Sequence, residues 1–172
     1  MRTHEGGPGR STSDGTRELP GTREAAEAWE SLFRAQVALM RRFQRDDVWG
    51  DLTIREYDVL FTLSRCPDGT ARLRDLGENS LLSQPSLSRM VERLEQAGLV
   101  RRGPVAGDAR GVAVGLTPEG RRVQREIGRR HVRTIRRLVG GALDTQELAT
   151  LRALTDKLRL AQAQIPDESS DA

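Results

Sequence analysis

A change of period between Ser83 and Leu116 narrows what this chain can fold into more than any other feature. Apolar residues there recur first at three- and four-residue steps, as Leu87, Met90, Val91, Leu94 and Ala97, and then at two-residue steps, as Val112, Val114 and Leu116. The first spacing puts one stripe on a helix, and the second puts one face on a strand. Gly98 separates the two and ends the helix. Ser83 stands at its cap, and Pro85 falls in its first turn, where a missing N–H is tolerated. Residues 99–102 and 112–116 then read as short strands joined by a solvent-exposed loop over 103–111 that carries Asp108 and Arg110.

Helices are expected on both sides of this unit. Ala25, Trp29, Leu32, Phe33, Gln36, Met40 and Phe43 recur at helical steps over 22–46. After a break at Trp49-Gly50-Asp51, Thr53-Ile54-Arg55-Glu56 spells a capping box and opens a helix that buries Tyr57, Leu60 and Phe61. Pro67-Asp68-Gly69 ends it, and a brief helix around Asp75 and Leu76 is expected within 73–80. Thr117-Pro118-Glu119 starts a helix running to about residue 139. Gly140-Gly141 breaks the chain, and Asp144-Thr145-Gln146-Glu147 caps a last helix with Leu148, Leu151, Leu154, Leu158, Ala161 and Ile165 on one side. Residues 1–21 and 166–172 have almost nothing to bury and are expected to be disordered. The fold class is mostly α with one small β-hairpin.

Several functions lack the residues they need. No apolar run is long enough to span a bilayer, and the first residues lack the apolar core of a secretory signal, so a cytoplasmic protein with no membrane partner is expected. The chain has one cysteine, Cys66, and two histidines, His4 and His131, with no metal-ligand spacing and no Gly-rich phosphate loop. No enzyme, metal or cofactor is expected from this inventory. A net charge of +3 says little about partners, but residues 83–137 hold thirteen arginines against five carboxylates. The planar guanidinium fork suits phosphates and guanine edges.

A helix-turn-helix needs a second helix with one face on the domain and the other polar and compact near its start. The 83–96 segment has both, with Pro85, Arg89, Glu92 and Gln96 opposite the apolar stripe, flanked by Ser86, Ser88 and Arg93. Short serines let the backbone approach phosphates, and Arg89 or Arg93 can reach a guanine edge. Arg101 and Arg102 are placed for phosphates, and Asp108 for orienting Arg110 into a minor groove. An ordinary surface helix with a solvated loop ion pair fits the same residues.

The string from Leu82 to Arg102, LSQPSLSRMVERLEQAGLVRR, followed by Asp108-Ala109-Arg110 and Leu116-Thr117-Pro118-Glu119-Gly120, resembles the MarR family of bacterial and archaeal regulators. The resemblance covers about 25–163 in element order and is densest over 73–120. It implies a winged helix-turn-helix lobe over 53–117 and a helical dimerisation region over 22–50 and 118–165, together a domain over 22–165. Two such lobes grip a palindromic double-stranded DNA operator. Ser83, Gln84 and the residues through Arg93 match the groove-entering helix, and Asp108 with Arg110 the wing tip. The resemblance also implies repression relieved by a small aromatic or phenolic effector, with Arg34, Tyr57 and His131 as its contacts. His131 equally suits simple packing. Cys66 suits a buried inert thiol, a redox-sensing regulator being the alternative, and a winged module that binds protein in place of DNA is another. Three residues depart from the family pattern: Leu81 where glycine is common at the turn, Arg74 at a usual Ser or Thr cap, and Gly77 inside the short helix.

Overall fold

The computed structural model describes residues 19, 21–78, 82–105 and 107–165, without the side chains of 109 and 110. Residues 1–18 and 166–172, expected to be disordered, lie outside that set, as does Leu81. The chain order is α1 (Thr22–Gln44), α2 (Ile54–Arg65), β1 (Thr70–Arg72), α3 (Leu73–Glu78), α4 (Gln84–Gln96), β2 (Val100–Val105), β3 (Asp108–Leu116), α5 (Pro118–Leu138) and α6 (Thr145–Ala161). Short 3-10 turns follow α2 and α6. Two compact units, Met1–Ala38 and Leu39–Ala172, divide the chain within α1.

In the first unit, Arg23 pairs with Glu27 and Arg34 with Glu30, each one helical turn apart. Trp29 stacks on Phe33 with ring centroids 6.0 Å apart, and both rings stay largely exposed.

The second unit holds the core. Leu60 and Leu63 of α2, Leu76 of α3, and Leu87, Val91 and Leu94 of α4 meet Val100, Val114 and Leu116 of the sheet. Each such side chain contributes about 1.5–3 kcal/mol by leaving water. The helical stripe and the alternating strand face thus close on one another, as the change of period required. Thr53 caps α2 with both bonds of the box: its Oγ1 accepts the Glu56 N–H, and the Glu56 carboxylate accepts the Thr53 N–H. Asp144 and Glu147 repeat the device at α6. Gly77, which costs α3 helix propensity, lies where a Cβ would stand 2.5 Å from the Gln84 side chain. The Gln84 amide is the far end of a flexible, exposed side chain, which can swing aside.

The sheet differs from expectation. It has three antiparallel strands in the order β1-β3-β2, and β1 was not foreseen. The expected loop over 103–111 belongs mostly to the strands, which run to Val105 and resume at Asp108 with a register irregularity at Pro104 and Val105. Pro104 is tolerated because β2 is an edge strand, where a proline forfeits no ladder bond inside the sheet. Val112, expected inward, is partly exposed. So is Phe61, at 44%: it stacks on Tyr57 and lies at the wall of a cavity instead of in the core. Leu151, Leu154 and Leu158 on one face of α6 and Leu160 on the other are exposed, and no residue of this helix is buried.

Candidate nucleic-acid interface

The helix expected to enter a groove, α4, rests on its apolar stripe. Leu87, Met90, Val91 and Leu94 are buried, whereas Gln84, Pro85, Arg89, Glu92 and Gln96 are exposed, and Ser86 and Ser88 are half-buried at the flanks. Ser83 occupies the cap position in extended conformation, but its hydroxyl donates to Ser86 Oγ at 3.0 Å and makes no cap bond to the backbone. The cap is therefore conformational, which differs from the expected side-chain cap. Arg89 and Arg101 are exposed and form no ion pair among the described residues.

Two other arginines are engaged inside the lobe, which the sequence did not reveal. Arg93 donates from Nε and Nη2 to Glu56 Oε1 at 3.1 and 3.0 Å, reaching α2 from α4. Arg102 donates from Nε to Glu95 Oε2 at 2.6 Å and from its backbone N–H to Glu95 Oε1 at 2.8 Å. Burial pushes the Glu56 carboxyl up, but the Thr53 N–H, the Arg93 guanidinium and the Thr53 hydroxyl together outweigh it and hold it below its ordinary range. Glu95 is likewise held low by the Arg102 N–H and side chain.

A carboxylate with a depressed pKa contributes stability above its unfolded value and loses that contribution as pH falls through the folded one. Glu56 should therefore weaken the fold in acid. Urea unfolding followed from about pH 6 to pH 3 is expected to show a steeper loss for the wild type than for Glu56→Gln; parallel curves would show that Glu56 has no such role.

At the wing, Asp108 and Arg110 lie on β3 and not in a loop. The Arg110 side chain lies outside the described set. Arg72 of β1 reaches Asp108, Nη1 to Oδ2 at 3.4 Å, a partner missed because β1 itself was missed. Arg74, at the departure from the usual cap, pairs with Asp75.

A cavity of about 580 Å³ opens between α2 and α5, lined by Phe43, Arg55, Tyr57, Phe61, Gln124, His131 and their neighbours. Two of the three expected effector contacts, Tyr57 and His131, are on its wall. The third, Arg34, is in the first unit and pairs with Glu30. His131 packs among Phe43, Trp49 and Tyr57, with ring centroids 5.0, 4.7 and 5.9 Å away. Burial lowers its pKa against the opposing pull of Asp46, which favours the neutral imidazole. Burial raises the Tyr57 pKa, with Gln124 acting against it. Cys66 is half-buried, its Sγ donating to the Thr62 carbonyl. Among the described residues no cluster of His, Cys, Asp and Glu is placed to hold a metal, and no helix is long and apolar enough to cross a membrane.

Known proteins share this architecture. Residues 50–111 match the model of the MarR family. The HTH-type transcriptional regulator FarR of Neisseria gonorrhoeae is 34% identical over 97 residues, 56% of this chain and 65% of that protein. The chain spans slightly less than two thirds of the length of the curated relatives it matches. AbsC, a MarR family transcriptional regulator from Streptomyces coelicolor, superposes with a TM-score of 0.69 at 29% identity, over 86% of this chain and 99% of its own. Sco3205, a MarR family regulator from the same organism solved in complex with DNA, gives 0.67 at 27%, over 91% and 96%. With the matched lobe, the shared order of helices and hairpin, and likeness over nearly the whole of those structures, residues 50–111 match the MarR family and the chain has the fold of MarR winged helix proteins.

Proposed function

We propose that this protein is a sequence-specific double-stranded DNA-binding transcriptional regulator, a cytoplasmic homodimer that represses its own or neighbouring genes from a palindromic operator. One observation carries the reading: α4 turns outward a polar face on which Arg89 has no ion-pair partner among the described residues, while its opposite face is buried. An arginine without an internal partner on an exposed recognition face is available for a guanine edge or a phosphate. Ser83, Gln84, Pro85, Ser86, Ser88 and Glu92 surround it, and Arg101 and the wing with Asp108 and Arg110 extend the surface. The DNA complex of Sco3205, similar over nine tenths of this chain, supports the assignment.

Dimerisation is supported by exposed apolar side chains on two helices, Trp29 and Phe33 on α1 and Leu151, Leu154 and Leu158 on α6. Burial across a two-fold axis removes them from water and sets two lobes against two half-sites. Leu154→Glu/Leu158→Glu is expected to convert the protein to a folded monomer in sedimentation and to weaken operator binding about 100-fold or more, because two linked sites become one. An unchanged dimer would place the interface elsewhere.

The cavity on α2 and α5 is of the size that takes a small ligand, and its aromatic wall with Arg55, Tyr57, Gln124 and His131 suits an aromatic or phenolic effector that releases the operator. Fluorescence anisotropy tests the function as a whole. A duplex from the region upstream of the protein's own gene is expected to bind far more tightly than a scrambled duplex, with affinity falling steeply as salt rises. Equal affinity for the two duplexes would refute the reading.

A further inference from the structure

We propose that Arg93 and Arg102 are positioning residues: with Glu56 and Glu95 they brace the recognition helix on its two flanks and do not serve as phosphate contacts. The inference rests on the DNA-binding reading above. Residues on a helix advance by about 100° each, so Arg93 and Glu95 are about 200° apart and fall on either side of the buried stripe. From one flank Arg93 reaches back to α2; from the other Glu95 takes both the backbone N–H and the side chain of Arg102 on β2.

Each carboxylate ties its arginine to a fixed piece of backbone. Glu56 Oε2 accepts the Thr53 N–H and hydroxyl at the start of α2 while Oε1 takes the guanidinium, so the brace ends on a capped helix terminus. Glu95 holds a strand residue by its main chain as well as its side chain. Arg89 projects between these flanks, on the face opposite the stripe.

Such a device has a physical purpose. Apolar burial is non-directional, and a helix resting only on a stripe of leucines resists rolling about its axis weakly. A roll of about 20° carries a side-chain tip about 6 Å from the axis through about 2 Å. Hydrogen-bond geometry does not tolerate that displacement. Two-pronged polar fixtures on opposite flanks stop the roll in both directions and hold Arg89 to one orientation.

The two roles predict opposite signs. Equilibrium anisotropy on a duplex that the wild type binds, repeated over a salt series, is compared for Glu56→Gln, Glu95→Gln, Arg93→Lys, Arg93→Gln and the Glu56→Gln/Arg93→Gln double variant. Bracing is expected to make Glu56→Gln and Glu95→Gln each lower affinity about tenfold, with the double variant no worse than its singles. Arg93→Lys should fall similarly, because an ammonium cannot reproduce the fork, and the salt slope should stay that of the wild type. Phosphate contact would instead leave or raise affinity in the two glutamine variants, preserve it in Arg93→Lys, and cut the slope by about 0.9 in Arg93→Gln. Any of those results overturns the brace. Should Glu56→Gln fail to fold, Glu95→Gln and Arg93→Lys decide alone, since both alter exposed or half-exposed groups. A wild type that binds no duplex overturns the DNA-binding reading and the brace with it; wild-type binding unmoved in those two variants overturns the brace only.

Discussion

Gly120→Ala is expected to lower stability by about 3 kcal/mol and to weaken DNA binding at the same time. A Cβ at position 120 would stand 1.9 Å from the Leu99 carbonyl oxygen, a backbone atom that no rotamer change can move aside. That carbonyl is itself held, accepting the Thr117 N–H at 3.1 Å, while the Thr117 hydroxyl donates to the Gly98 carbonyl at 2.7 Å. Alanine must therefore break the junction where the end of α4 meets the start of α5. Leu99 lies three residues beyond the end of α4, so the displacement reaches the surface proposed to face DNA. Gly103→Ala is the control: nothing lies within 4 Å of its Cβ, and a change within about 0.5 kcal/mol is expected. Thermal unfolding separates the two, with a drop of about 10 °C for Gly120→Ala and almost none for Gly103→Ala. Equal melting temperatures would show that the junction has slack that these distances do not suggest.

Arg89→Ala is expected to weaken operator binding by about 1–3 kcal/mol while leaving folding untouched. The side chain is exposed and has no ion pair among the described residues, so alanine removes no interaction of the folded lobe and has the better helix propensity. The manner of the loss identifies the contact. A guanine contact relaxes sequence preference at one base pair, whereas a phosphate contact weakens all duplexes alike and lowers the salt slope by about one unit. Unchanged affinity would remove Arg89 from the interface.

Element order was legible because most of it is written in periodicity and caps. The leucine spacing of α4, the two capping boxes and the Thr-Pro-Glu start of α5 are local signals, and the structure places helices at each. β1 was not legible: three residues, Thr70–Arg72, are too few to show an alternation, and they become a strand only because β3 offers an unpaired edge. Gly103 and Pro104 read as loop for the same reason that they sit well at an edge. Phe61 was placed in the core because its helix position is apolar, but the space that leaves it open is made by α5, far away in sequence.

The interface was legible in part. Exposure of Arg89 followed from the stripe opposite it. The engagement of Arg93 by Glu56, 37 residues away, depends on how α2 lies against α4, and no spacing rule encodes that. Asp108 was read as a partner for Arg110 from their proximity along the chain, while its pairing with Arg72 needed the unforeseen strand. Long-range charge pairs decide which cations of a basic segment remain free to meet a ligand, and a count of thirteen arginines does not.

On the proposed function, α4 and the wing present a DNA-reading surface that acts in symmetric pairs. Hydroxyl-radical footprinting over the region upstream of the protein's own gene reads out both properties at once. The expected pattern is two protected patches related by two-fold symmetry, centred about one helical turn apart, and weakened by Arg89→Ala. Uniform cleavage at every protein concentration, or protection that does not depend on sequence or on Arg89, would contradict it.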